Sequence, residues 1–160
     1  MLNPGGRNND LEYGPAFVEE RRRAMRFESD WPFWTLNPAF SHMEGYDYAT
    51  KRLGALIARV GQEAVARKMM WVQYLGYQSI VWRTPPVVLP SQEFAFSIVR
   101  RAIATNKIVV VARSRKFWEA AVPELSSYDF IELRNPRSPY LTPKNMGSDA
   151  FERVVSALAD

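Results

Sequence analysis

Three prolines set close together in a polar stretch constrain this chain more than any other feature. They fall in Asn135-Pro136-Arg137-Ser138-Pro139-Tyr140-Leu141-Thr142-Pro143-Lys144-Asn145-Met146-Gly147, between an apolar run at Phe130 to Leu133 and an amphipathic run from Ser148. Each proline fixes φ and removes a backbone donor, so the stretch reads as a stiff polar loop between a strand and a closing helix. A loop that follows a buried strand in an α/β protein lies at the carboxyl edge of the sheet, where ligands bind. A second loop of similar make, Leu2-Asn3-Pro4-Gly5-Gly6-Arg7-Asn8-Asn9-Asp10, opens the chain. The two loops are expected to face each other across one pocket.

The rest of the chain alternates between helical and strand signals. Pro15 at a first turn, followed by Phe17, Val18, Arg21 and Met25, predicts a helix from about Pro15 to Phe27. Trp31 to Phe40 is aromatic and broken by prolines, and its rings pack a long connection onto the body. Leu53, Leu56, Ile57, Val60 and Val65 recur at helical spacing between Tyr48 and Lys68, a span that Gly61 weakens mid-way. Met69 to Leu75 has the length and apolarity of a strand, and Tyr74 and Tyr77 at its exit are candidates for a pocket wall.

After an extended linker from Arg83 to Pro90, Ser91 is the expected N-cap of a helix that turns Phe94, Ile98, Ala102 and Ile103 inward and ends near Thr105 and Asn106. Ile108 to Ala112 is β-branched and nearly continuous in apolarity, as a strand buried on both faces should be. Ser114 then caps a short helix with Phe117, Trp118 and Ala121 toward the sheet, and Pro123 stops it. Asp129 to Leu133 is the last strand, and Ser148 caps a final helix with Phe151, Val154, Val155 and Leu158 on one stripe. Strands near residues 1, 72, 110 and 131, joined through helices, predict a three-layer α/β/α domain over residues 1–160 with a short, mainly parallel four-stranded sheet.

Composition narrows the chemistry. At 160 residues, 47% hydrophobic and 24% charged, the chain has the length of one domain with a full core. Cysteine is absent and His42 is the single histidine, which removes disulfides, thiolate zinc sites and multi-histidine metal sites; no metal and no cofactor are expected. With no apolar run of membrane-spanning length and no basic-then-apolar start, a cytoplasmic protein without membrane partners is expected. Gly5-Gly6 is not a dinucleotide fingerprint, no Gly-Lys-Ser or Gly-Lys-Thr cradles phosphate, and no G-x-S-x-G elbow occurs.

The net charge of +4 and pI near 9.5 permit attraction to a polyanion. Distribution counts for more than the total. Arg21, Arg22, Arg23 and Arg26 read as a solvated helix face after Glu19 and Glu20, whereas Arg113, Arg115, Lys116, Arg134, Arg137 and Lys144 fall in or beside the loops at one sheet edge.

Two of these stretches resemble motifs of the uracil-DNA glycosylase superfamily, its mismatch-specific branch in particular. Leu2-Asn3-Pro4-Gly5 is similar to the first motif, which brings an Asn-Pro-Gly turn into the base pocket, and Asn135-Pro136-Arg137-Ser138-Pro139-Tyr140-Leu141-Thr142 resembles the second, a loop that enters the minor groove. The resemblance implies a DNA partner, base flipping and hydrolysis of the N-glycosidic bond of a deaminated or damaged base. It implies catalytic roles for Asn3, which would hold the attacking water, and for Asn135, which stands where stronger members carry histidine. Pro4 and Gly5 would shape the turn of a base pocket that also includes Tyr74, Tyr77 and Asp10, the nearest carboxylate after the first motif. Arg113, Arg115, Arg137, Ser138, Tyr140 and Lys144 would contact DNA.

The first motif begins at residue 2, so the strand expected to carry it is nearly missing, and an upstream strand or a second copy of the chain, as a homodimer, is expected to fill the gap. A different class of protein fits the same residues: an α/β module that binds nucleic acid or a nucleobase without chemistry.

Overall fold

The computed structural model describes residues 14–26, 28–76 and 87–159. The described residues are 62% helical and 3% strand, with one sheet of two strands, so the four-stranded three-layer α/β/α architecture is not what this chain forms. The expected strand at residue 1 lies outside the described residues, and the apolar run from Met69 to Leu75 carries no ladder. Apolarity suits a strand and equally a buried connection, and Val72, Tyr74 and Leu75 bury surface here without forming one of the two strands among the described residues. The residues divide into two compact units, one made of the described part of 72–139 and the other of the described parts of 9–71 and 140–160.

The larger unit is all helix. Helix α1, Pro15–Met25, starts with proline at its first position, where the missing donor costs nothing, and buries Phe17 and Ala24. Phe17 meets Trp34 and Phe40 edge to face at 5.0 and 5.2 Å, so the proline-broken aromatic stretch packs against α1 as two turns of 3-10 helix. Helices α2, Glu44–Val60, and α3, Gln62–Lys68, replace the single expected helix. The break is Gly61, whose φ of 85° and ψ of 155° suit glycine alone and turn the chain between the two. A short helix α6, Pro143–Met146, lies inside the stretch expected to be loop; Thr142 accepts from the amide of Asn145 and caps it. Helix α7, Ser148–Ala159, buries the expected stripe of Phe151, Val154, Val155 and Leu158 against α2, α3 and α6.

The smaller unit holds the sheet. Helix α4, Pro90–Ala104, begins one residue before the expected cap. Leu89 occupies the cap position and its amide donates to the side chain of Gln92, while the Ser91 hydroxyl is buried without a partner. Phe94, expected inside, is 69% exposed, and Phe96 fills the core in its place. Strand β1, Val110–Val111, and strand β2, Ile131–Glu132, pair in parallel with Val110 opposite Ile131, and helix α5, Arg115–Ala121, lies between them in the chain. Phe96, Val111, Trp118, Val122 and Leu125 form the core of this unit. The expected order of strand, polar turn, helix and strand is therefore present here in shortened form. Among the described residues no helix is long and apolar enough to cross a membrane.

Candidate nucleic-acid interface

Parallel pairing has a geometric consequence: both strands point the same way, so the segments that leave them emerge at one edge. Residues 112–115 leave β1 there and residues 133–138 leave β2. Ser114, at φ 61° and ψ 42°, makes a left-handed turn, and its carbonyl accepts from the amides of Phe117 and Trp118 to start α5. The second segment closes a turn in which the Ser138 amide donates to the carbonyl of Asn135 at 3.2 Å.

Arg113 joins the two segments. Its Nε donates to the carbonyl of Pro136 at 2.8 Å and an Nη donates to the carbonyl of Arg137 at 2.9 Å. Proline cannot donate, and the fork of a guanidinium matches the two adjacent carbonyls of the turn. The contact expected between the β1 exit and the proline loop therefore exists, with Arg113 bonded to the loop backbone.

Arg115, also expected to face phosphate, is occupied by carboxylates. Its Nε donates to Glu119 at 2.7 Å and an Nη donates to Glu132 at 3.0 Å, and these bonds, that to Glu119 foremost, raise its pKa further. Its guanidinium also lies 5.1 Å from the centre of the Phe130 ring. Two acids around one arginine leave no positive field for a polyanion. Lys116, Arg134 and Arg137 are exposed at the same edge, and among the described residues Lys116 and Arg137 form no ion pair. Asn135 is exposed at the exit of β2, with Ser138 half-buried behind it.

Tyr74 packs among the rings of the smaller unit. Its ring lies 5.3 Å from both Phe96 and Trp118 and 5.7 Å from Phe117, and burial among these rings pushes the hydroxyl pKa up. It completes the aromatic core of the smaller unit. Asn3, Pro4, Gly5, Asp10 and Tyr77 lie outside the described residues.

Tyr140 and Lys144 belong to the helical unit. Arg52 there sets its guanidinium 3.4 Å from the centre of the Tyr48 ring and 5.5 Å from that of Tyr140, and its carbonyl accepts from the amide of Leu141 at 2.9 Å. Buried Asn145 donates to the Tyr140 carbonyl at 2.9 Å. Tyr140 is thus clamped into its own unit by stacking and by backbone bonds, and Lys144 is exposed on α6.

Among the described residues no group of three or more His, Asp or Glu side chains is arranged to hold a metal ion. Comparison of the chain with protein-family models, with curated proteins and with solved structures finds no match. The meaning of the basic edge rests on its own geometry.

Of the six residues the resemblance assigned to DNA, the smaller unit brings Arg113, Arg115, Arg137 and Ser138 to one edge, and it gives the first two other work. Lys116 and Arg134 take the exposed places instead. The strand–turn–helix pattern had placed both beside the edge. Which cation a carboxylate neutralises depends on Glu119 and Glu132, one turn along a helix and one strand away, and the residue order does not display that pairing.

Proposed function

We propose that this chain is a nucleic-acid-binding module whose contact surface is the edge where β1 and β2 end. One observation carries the reading: parallel pairing gathers Lys116 and Arg137 as exposed cations on one side of the smaller unit, and among the described residues neither forms an ion pair, whereas Arg115 beside them is held by two acids. The basic pI supports it, as does the position, since the carboxyl ends of parallel strands are where α/β sheets bind ligands. The phosphate backbone is the partner that such a surface suits, because scattered exposed cations bind charge and not base identity.

Base excision, which the glycosylase resemblance implies, needs a group to hold the attacking water. Asn3, the residue for that role, lies outside the described residues, whose one sheet has two strands. Binding without chemistry is the reading the basic edge supports.

The test is an oligonucleotide titration of the full chain from 50 to 200 mM salt. Binding should weaken steadily as salt rises, because each neutralised phosphate releases counterion; Lys116→Ala and Arg137→Ala should each flatten the log–log slope by about 0.7 to 0.9. Affinity indifferent to salt, or slopes unchanged in both variants, would remove the reading. Release of free uracil from a mispaired duplex, lost in Asn135→Ala, would add excision to binding.

A further inference from the structure

Arg113 sits among exposed cations yet aims its guanidinium at the protein. It is half-buried, and its fork donates to the carbonyls of Pro136 and Arg137, the two residues at the tip of the loop. Pro136 has no amide to donate, and the Ser138 amide closes the turn by donating to the Asn135 carbonyl, so the two carbonyls between them are the acceptors that the fork of Arg113 takes. A guanidinium that accepts nothing and donates along two parallel directions holds two neighbouring peptide units in one relative orientation, which a lysine ammonium at the end of a flexible stem does not do. The carbonyl that Arg113 grips at 2.9 Å belongs to Arg137 itself, whose side chain is exposed and unneutralised among the described residues.

We infer that Arg113 is a positioning residue of the basic edge: it takes no phosphate, and its hold on the backbone at 136 and 137 presents the Arg137 guanidinium to the phosphate of a bound nucleic acid. The inference rests on the binding reading above and sharpens it, since it separates charge that binds from charge that builds. A phosphate ligand acts through its charge, so Arg113→Lys would preserve it. A clip acts through its fork, so Arg113→Lys disables it with the net charge unchanged.

The experiment is a double-variant cycle on oligonucleotide binding by the full chain, with Arg113→Lys, Arg137→Ala and both together, read as affinity and as salt slope. Arg113→Lys is expected to weaken binding several-fold, up to about tenfold, and to flatten the slope toward that of Arg137→Ala. In the Arg137→Ala background it should do little more, because the side chain it positions is already gone. Hydrogen exchange gives a readout that needs no nucleic acid: the Ser138 amide should exchange faster in Arg113→Lys than in the parent. Arg113→Lys with parental affinity and slope, as expected if Arg113 touched phosphate through its charge, overturns the inference, and so do losses that multiply in the double variant, as they would if the replacement unfolded the unit. A parent chain that binds no oligonucleotide at 50 mM salt overturns the binding reading itself, and then the exchange rate of Ser138 alone reports on the clip.

Discussion

At the level of single residues, the smaller unit contains three arginines with the same charge and three different tasks. Arg113 spends its donors on backbone carbonyls, Arg115 on two carboxylates, and Arg137, among the described residues, on neither. Charge counting treats them alike, although the partners within 3 Å decide what each can offer a ligand. Arg115 gives the plainest expectation. Because Glu119 and Glu132 already surround it, Arg115→Gln should leave the salt slope of oligonucleotide binding at the parental value, while Lys116→Ala, one residue along, flattens it. Side-by-side titrations of the two variants check this. Equal flattening in both would mean that phosphate displaces the carboxylates from Arg115. Neighbours decide for aromatics too: Tyr74, near the end of an apolar run, sets its ring against Phe96, Phe117 and Trp118.

Among the elements, the helices were the legible part. A 3.6-residue stripe is a local property, so α1 and α7 could be read from Phe17 and from Phe151, Val154, Val155 and Leu158. The β1–α5–β2 succession was legible too, because Ser114 and Pro123 bracket α5 and β-branched residues precede it. Strand pairing was not. Met69 to Leu75 matches a strand in length and apolarity, but a ladder needs a partner supplied from elsewhere in the chain, and no local pattern states whether one arrives. The edge itself was legible in outline, since it follows from a parallel pair, whereas the neutralisation of Arg115 depended on tertiary neighbours. Between α2 and α3 the signal is a single residue: Gly61 does more than weaken a helix, because its φ of 85° ends one and begins the next. An added Cβ there meets no atom within 4 Å, so Gly61→Ala tests backbone strain without any clash. The variant should lose about 1 to 3 kcal/mol, measured by urea denaturation with an unchanged m-value. A loss under a few tenths would mean that the chain can cross from α2 to α3 with an ordinary backbone.

For the molecule as a whole, what governs stability in the helical unit is that its two chain segments are far apart in sequence. Residues 9–71 supply α1 to α3, residues 140–160 supply α6 and α7, and the described part of the smaller unit lies between them in the chain. Helix α7 is the return segment, so its packing is what joins the two halves of this core. Arg59 and Glu152 bridge α2 and α7 with two bonds of 2.6 and 2.9 Å, but both side chains are about half exposed, and a pair in water adds little. The apolar stripe must therefore carry the join. Phe151 is 1% exposed and among the largest fully buried side chains described, so no rearrangement short of moving a helix can fill the space it leaves. Phe151→Ala should cost about 3 to 5 kcal/mol, against about 5 to 15 kcal/mol of net stability for a chain of this kind. A thermal melt followed by far-ultraviolet circular dichroism should show the midpoint falling by roughly ten degrees. Arg59→Ala, by contrast, should shift it by no more than a degree or two. If the two variants moved the midpoint equally, the surface pair and not the buried stripe would be what holds α7 to the rest of its unit.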